Sequence, residues 1–289
     1  MSKTILITGA TGQISSGIIP HLTGSGATLR ALVRDRQRAA SLAEQGVEVV
    51  EGDLGRPRTL GRAFAGAETV WILTPPGPRA PEQSSNALWA ARQGGARHVV
   101  RMSAIGAAHD APTINSRLHA LSDAELAASG LPYTILRPHA FMQNLMMSAQ
   151  SVAEQGALYL ALGEGRLGMI DARDVAEAAA RVLTTPGHEN KIYTLTGPRA
   201  VSLAEVAAAL GAALGKPVNY VPIPIEAADE AMAKTGLDEW TRTLATDYFA
   251  AYSRNWADAV TGDFSRLVGR PARSIDDFAR DFAGAFGKR

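Results

Sequence analysis

Gly9 and Gly12 lie in the run Thr8-Gly9-Ala10-Thr11-Gly12-Gln13-Ile14-Ser15. Small residues at that spacing let a backbone approach a phosphate closely. The apolar residues Ile5-Leu6-Ile7 come just before, and Ile14, Ile18, Ile19 and Leu22 recur at helical spacing after it. The pattern predicts strand, turn and helix, with the first helical amides and the positive dipole end aimed at an anion. A dinucleotide pyrophosphate is the ligand such a turn suits. The spacing departs from G-x-G-x-x-G, and Ser15 stands where a third glycine would fall.

Other candidate residues follow the ends of later strand-like runs. Arg34 closes the second, where an acid selects a ribose hydroxyl and an arginine a 2′-phosphate. Arg34, Arg36 and Arg38 against the single Asp35 favour NADPH, while Asp35 keeps NADH open. Asp53, after the third run, is either an acceptor for the adenine amino group or an exposed turn residue. Ser103, after the fifth, is either a hydrogen-bonding partner for a substrate oxygen or a turn cap. His119, on the next helix, is the nearest acid–base group in sequence. Other chemistries fit poorly. No P-loop lysine follows Gly12, and Ser103 lacks the glycine-flanked elbow of an α/β-hydrolase. The six histidines form no helical pair, so no metal site is expected.

The elements that position these residues alternate. Strand-like runs at 4–8, 28–33, 47–51, 69–73, 98–102 and 133–136 are separated by helical patterns at 15–22, 36–44, 58–64, 82–93 and 117–129. Near-continuous apolar strands between helices predict a doubly wound parallel sheet, an α/β Rossmann fold. A Met-rich helical stretch follows over 141–152, then a strand at 158–161. An alanine-rich helix comes after Asp171-Ala172-Arg173-Asp174-Val175, then a strand at 191–195 and a helix from 202 with a Ser202–Glu205 capping box. From residue 225 the chain reads as mainly helical. The expected division is a dinucleotide-binding domain over 1–152, with 153–289 returning to the sheet and forming a smaller substrate lobe. In that second half, Phe141, Met142 and Trp240 offer an apolar wall, with His139 and Asn144 as polar anchors.

Composition narrows the classes. The 289 residues are 46% hydrophobic and 20% charged, with formal net charge +1, so nothing directs the chain to nucleic acid or an anionic membrane surface. Cysteine is absent, which excludes disulfides and thiolate nucleophiles. No apolar run approaches the roughly 20 residues of a membrane span. Met1-Ser2-Lys3 leads directly into a strand pattern without the apolar core of a signal peptide, so a cytoplasmic location is expected.

The chain resembles the NmrA-like branch of the atypical short-chain dehydrogenase/reductases. The resemblance rests on Thr8-Gly9-Ala10-Thr11-Gly12, Val33-Arg34, Gly52-Asp53-Leu54 and the block from Ser129 to Pro138. Phe141-Met142-Gln143-Asn144 and the segment 171–176 carry it further. Within that branch the chain is similar to NAD(P)H-dependent quinone, azo-dye and triphenylmethane-dye reductases. The resemblance implies that Gly9, Thr11, Gly12, Gln13 and Ile14 hold the pyrophosphate and that Arg34 meets the 2′-phosphate. It also implies that Asp53, Leu54, Leu73, Thr74, Pro75, Ser103 and Pro138 flank the rest of the cofactor.

One departure is informative. Where short-chain dehydrogenases carry Tyr-x-x-x-Lys, this chain has Asn115 and His119. Reducing a simple ketone makes an alkoxide that needs a positioned acid. Hydride addition to a quinone, azo bond or dye gives a delocalised product that takes its proton late, from water or from His119. The expectation is therefore NADPH-dependent reduction of a small, conjugated, electron-poor aromatic acceptor by a monomer or homodimer. The alternatives are a cofactor-sensing regulator without turnover and an imine or iminium reductase.

Overall fold

The computed structural model describes residues 3–287, so Met1-Ser2, part of the segment read for a leader, lies outside the described residues. In chain order the first elements are β1 (Thr4–Ile7), α1 (Gln13–Leu22), β2 (Thr28–Val33), α2 (Ala40–Glu44), β3 (Glu48–Glu51), α3 (Gly61–Phe64), β4 (Thr69–Ile72), α4 (Ala80–Gln93), β5 (His98–Met102), α5 (Ile114–Ala128) and β6 (Tyr133–Pro138). There follow α6 (Ala149–Gln155), β7 (Ala157–Leu160), β8 (Arg166–Leu167), α7 (Ala172–Thr184), β9 (Lys191–Leu195), β10 (Val201–Ser202), α8 (Leu203–Leu214) and β11 (Asn219–Pro222). The last are α9 (Ile225–Lys234), α10 (Glu239–Tyr252), α11 (Asp263–Val268), α12 (Ile275–Asp281) and α13 (Ala283–Phe286).

The chain groups into two compact units. The first comprises Met1–Asp110, Asn115–Arg137 and Val175–Tyr193, and is built on a seven-stranded sheet of order β3-β2-β1-β4-β5-β6-β9. The expected doubly wound sheet is borne out. Strands β3 to β6 pair in parallel, with Ile7 opposite Ala31 on one side and Trp71 on the other. Burial explains the apolar composition: Ile5, Leu6, Ile7, Val70, Val99 and Val100 are wholly enclosed. Chain order reverses at β1, with β2 to one side and β4 to the other, which creates the crevice where open α/β sheets bind ligands. The Gly9 turn, Arg34, Asp53, Leu73 to Pro75 and Ser103 all follow carboxyl ends of these strands.

The second unit comprises Ala111–Ile114, Pro138–Asp174 and Thr194–Arg289. It contains the parallel pair β7–β11, the antiparallel pair β8–β10 and the helices from α8 onward. Ser202 and Glu205 form the expected capping box on α8. The Met-rich stretch begins as a 3-10 helix over Met142–Ser148 and becomes α-helical only in α6. Leu158, Val206, Leu210, Phe278 and Phe286 anchor its core. Among the described residues no helix is long and apolar enough to cross a membrane.

Candidate active site

The anion cradle is built from the end of β1. Gly9 takes φ +61°, a left-handed conformation that glycine adopts without strain, and a Cβ there would come within 3.4 Å of the Leu73 carbonyl. Gly12 donates its N–H to the Gly9 carbonyl at 2.8 Å, closing the turn. Helix α1 then begins with no side-chain cap and no acid in its first turn. Its leading amides are thus left for an outside anion. Thr11, Gly12 and Gln13 are exposed, whereas Ile14 is buried beneath them. This arrangement fits a pyrophosphate.

Buried bonds lock the cradle to the sheet. Thr8 Oγ1 donates to the Leu73 carbonyl and accepts the Leu73 N–H, tying the β1 and β4 ends together. Ser15 Oγ donates to the Thr8 carbonyl and accepts the indole N–H of Trp71, each at 2.9 Å. The residue in the third-glycine position is therefore a polar clamp. Close helix packing falls to Gly17, where a Cβ would meet the Ala176 Cβ at 3.2 Å.

Arg34, Arg36 and Arg38 are exposed, with no ion-pair partner among the described residues. One Asp35 carboxylate oxygen accepts the Gln37 N–H at 2.8 Å, so it closes its own turn. Three guanidiniums without carboxylates suit a phosphate better than a ribose hydroxyl. Asp53 is half-buried, and Oδ1 accepts the Gly55 N–H at 2.8 Å while its own N–H bonds Thr59 Oγ1. Leu54 belongs to the core and its carbonyl accepts from Asn86. Thr74 is nearly enclosed, Pro75 is exposed, and Pro138 ends β6 in a buried position.

Ser103 and His119 enter one polar network that the sequence reading did not foresee. Ser103 is 2% exposed, and its hydroxyl donates to Asp123 Oδ2 at 2.8 Å, so its hydrogen is spent inside the protein. Arg101 bonds Asp123 Oδ1 at 2.5 Å, and Arg137 bonds Oδ2 at 2.9 Å. Arg101 Nη2 lies 3.0 Å from His119 Nδ1. Burial, then the nearby charges of Arg101 and Arg137, push the His119 pKa down to about 3. The ring is neutral at physiological pH. The signal was an arginine in the apolar strand His98-Val99-Val100-Arg101-Met102, which demands a buried partner.

Within the second unit, His139 is 2% exposed and both ring nitrogens are engaged. Nδ1 accepts the Ala140 N–H, so Nε2–H donates to the Ala257 carbonyl at 2.8 Å. Its ring also stacks on Tyr252. Met142 lies in the core, Phe141 is half-buried and Asn144 is exposed. Trp240 is partly exposed, and its enclosed indole N–H has no partner among the described residues.

Two segments distant in sequence meet beside Met142. Gln143 donates to Asp171 Oδ1 at 2.8 Å and accepts the Ala172 N–H at 2.8 Å, capping α7. Asp174, fully buried, receives Arg270 and Arg273. These acids hold the fold together rather than face a ligand.

A family model described as the NmrA-like family matches residues 1–246. The NAD(P)H azoreductase of Xenophilus azovorans is 41% identical over 98% of this chain and 99% of its own. The NADPH-dependent quinone oxidoreductase of Escherichia coli, solved with NADPH, superposes with a TM-score of 0.89 at 30% identity, covering 96% and 99% of the two chains. The triphenylmethane reductase of Citrobacter sp., solved with NADP(H), gives a TM-score of 0.87 at 28% identity, covering 97% and 99%. From its glycine turn to the packing of its second unit, this chain belongs to the NmrA-like family.

Proposed function

We propose that the protein is an NADPH-dependent oxidoreductase that reduces a small, conjugated, electron-poor aromatic acceptor such as a quinone or an azo compound. The relatives' names, NAD(P)H azoreductase and quinone oxidoreductase, support the acceptor class. The observation that carries it is Asn115 in the position of a ketone reductase's proton-donating tyrosine, with His119 one turn on held by Arg101 at 3.0 Å.

Bound NADPH supplies a hydride, two electrons and one proton. The chain's residues supply placement. Gly9, Thr11, Gly12, Gln13 and Ile14 receive the pyrophosphate, and Arg34, with Arg36 and Arg38 beside it, receives the 2′-phosphate. Leu73, Thr74, Pro75, Asp53, Leu54 and Pro138 border the remainder. Phe141, Met142, Asn144 and Trp240 belong to the acceptor's surroundings, while His139 braces that region through its two bonds. Ser103 acts through Asp123. His119 keeps its one proton on Nε2 and offers it as a hydrogen bond to the negative charge that the acceptor gains. With so low a pKa it does not protonate that charge, so water supplies the proton. Catalysis then rests on orientation and on electrostatics.

The test is to mix the purified protein with NADPH and menadione, or with an azo dye, and follow the reduced nicotinamide by absorbance. Turnover saturable in both substrates supports the reading. Nucleotide binding without turnover across a panel of quinones and dyes overturns it in favour of a sensor.

A further inference from the structure

We infer that Arg101 is a positioning residue whose guanidinium, anchored by Asp123, fixes the His119 ring in the tautomer that carries its proton on Nε2. The inference rests on the reading of His119 given under the proposed function, and it names the group that makes His119 serve.

Arginine has donors only, so the nitrogen facing Arg101 Nη2 at 3.0 Å must be an acceptor. That makes Nδ1 the bare nitrogen and leaves the proton on Nε2. The guanidinium has little freedom to move. Its Nε bonds Ser84 Oγ at 3.2 Å, its Nη1 bonds Asp123, and the side chain is 2% exposed. Asp123 is equally fixed, because its Oδ2 also accepts from Ser103 and from two nitrogens of Arg137. Ser84 on α4, Ser103 just after β5, Asp123 on α5 and Arg137 on β6 thus hold the guanidinium that determines which ring nitrogen carries the proton.

The charges around the ring point the same way. Arg101 on β5 and Arg137 on β6 face it, and on its own helix Asp123 cancels one of the two cations. Glu125, further along α5, bonds Ser85. The two guanidiniums oppose a proton on the ring and favour negative charge on a neighbouring molecule, while Glu125 and Asp123 temper their charge. Such a site stabilises a reduced, delocalised acceptor without transferring a proton of its own. Arg101 touches neither cofactor nor acceptor in this account.

The first experiment reads the ring directly. Side-chain nitrogen NMR of the nucleotide-free full chain, with His119 assigned by loss of its signals in His119→Gln, is expected to show protonated Nε2 and bare Nδ1. No titration is expected between about pH 5 and 8. In Arg101→Met, which leaves Asp123 paired with Arg137, the single tautomer is expected to be lost, with the two ring nitrogens giving averaged signals. A wild-type ring that titrates near its ordinary value, or an Nδ1–H tautomer, overturns the inference whether or not Arg101→Met folds.

The second experiment is kinetic. Arg101→Met is expected to lower kcat with menadione about 10-fold and leave the KM for NADPH within about twofold. An unchanged kcat, or an unchanged Nε2–H tautomer, in Arg101→Met overturns the positioning role. Arg137→Gln should keep the tautomer, because the Arg101–His119 bond survives; loss of the tautomer there would assign the role to Arg137 instead. Failure of the wild type to turn over any acceptor would defeat the functional reading alone, since the NMR result needs no turnover.

Discussion

Asp35 accepts the backbone N–H of Gln37 at 2.8 Å, so the one acid at the end of β2 is drawn into its own turn. The neighbouring Arg34 is left exposed, with no carboxylate against it among the described residues. Arg34→Asp is therefore expected to weaken NADPH binding on the order of 10- to 100-fold, the range for hydrogen bonds to a charged group, and NADH binding less than about threefold. Titration by nucleotide fluorescence measures both. Equal losses would make Arg34 a solvated charge.

His119→Ala removes one neutral hydrogen bond and no general acid. Turnover with menadione is expected to fall about 10-fold, with nucleotide affinity unchanged. The wild-type rate should show no histidine inflection above about pH 5, because the ring remains unprotonated until far lower pH. Steady-state rates across pH decide this. An inflection near the ordinary histidine value, abolished in His119→Ala, would restore the ring as a proton donor.

The sheet was legible because a strand buried on both faces writes itself as a continuous apolar run, and the Gly9 turn because only small residues allow its geometry. Helix lengths were less legible: α5 begins at Ile114, before the expected 117, since its first turn carries little apolar periodicity. At the site, the cradle and Arg34 could be read from local sequence. The Ser103–Asp123–Arg101–His119 network could not, for it joins β5 to a helix some 20 residues on through burial alone. For the same reason His139 looked like an anchor for substrate, although its nitrogens serve Ala140 and Ala257, the latter 118 residues away.

Gly9→Ala tests the cradle. An alanine at φ +61° costs about 1–2 kcal/mol, and its methyl would lie in van der Waals contact with Leu73, 3.4 Å away. The turn relieves this by shifting away from the phosphate position. Affinity for NADPH is expected to drop more than the melting temperature does, as read by calorimetric titration beside a thermal melt. A pure stability loss with unchanged affinity would detach Gly9 from the phosphates.

Asp174 is a structural counterpart to Asp123. It is fully buried and takes Arg270 and Arg273 from the C-terminal segment. The arginines are about one-third exposed, so solvent softens the cost of orphaning them. Asp174→Ala is expected to destabilise the protein by about 2–3 kcal/mol in a urea melt. Wild-type stability in this variant would show that the pairs contribute nothing net.

Two histidines with lowered pKa, His139 and His119, make stability depend on pH with a definite sign. Burial, opposed by the bond to the Ala257 carbonyl, lowers the His139 pKa from 6.5 to about 4. The unfolded chain binds a proton that the folded ring refuses, so stability is full above pH 6.5 and falls as the pH drops toward 4. At pH 5 the loss from this ring alone is about 2 kcal/mol, before most carboxylates begin to protonate. Protonation would also turn Nδ1 into a donor facing the Ala140 N–H, so the ring resists it geometrically as well. His119 adds to the loss in the same direction. Urea melts at pH 7 and pH 5 are expected to show a clear drop for the wild type and a smaller one for His139→Gln. An equal drop in both would mean that the ring does not titrate between the folded and unfolded states.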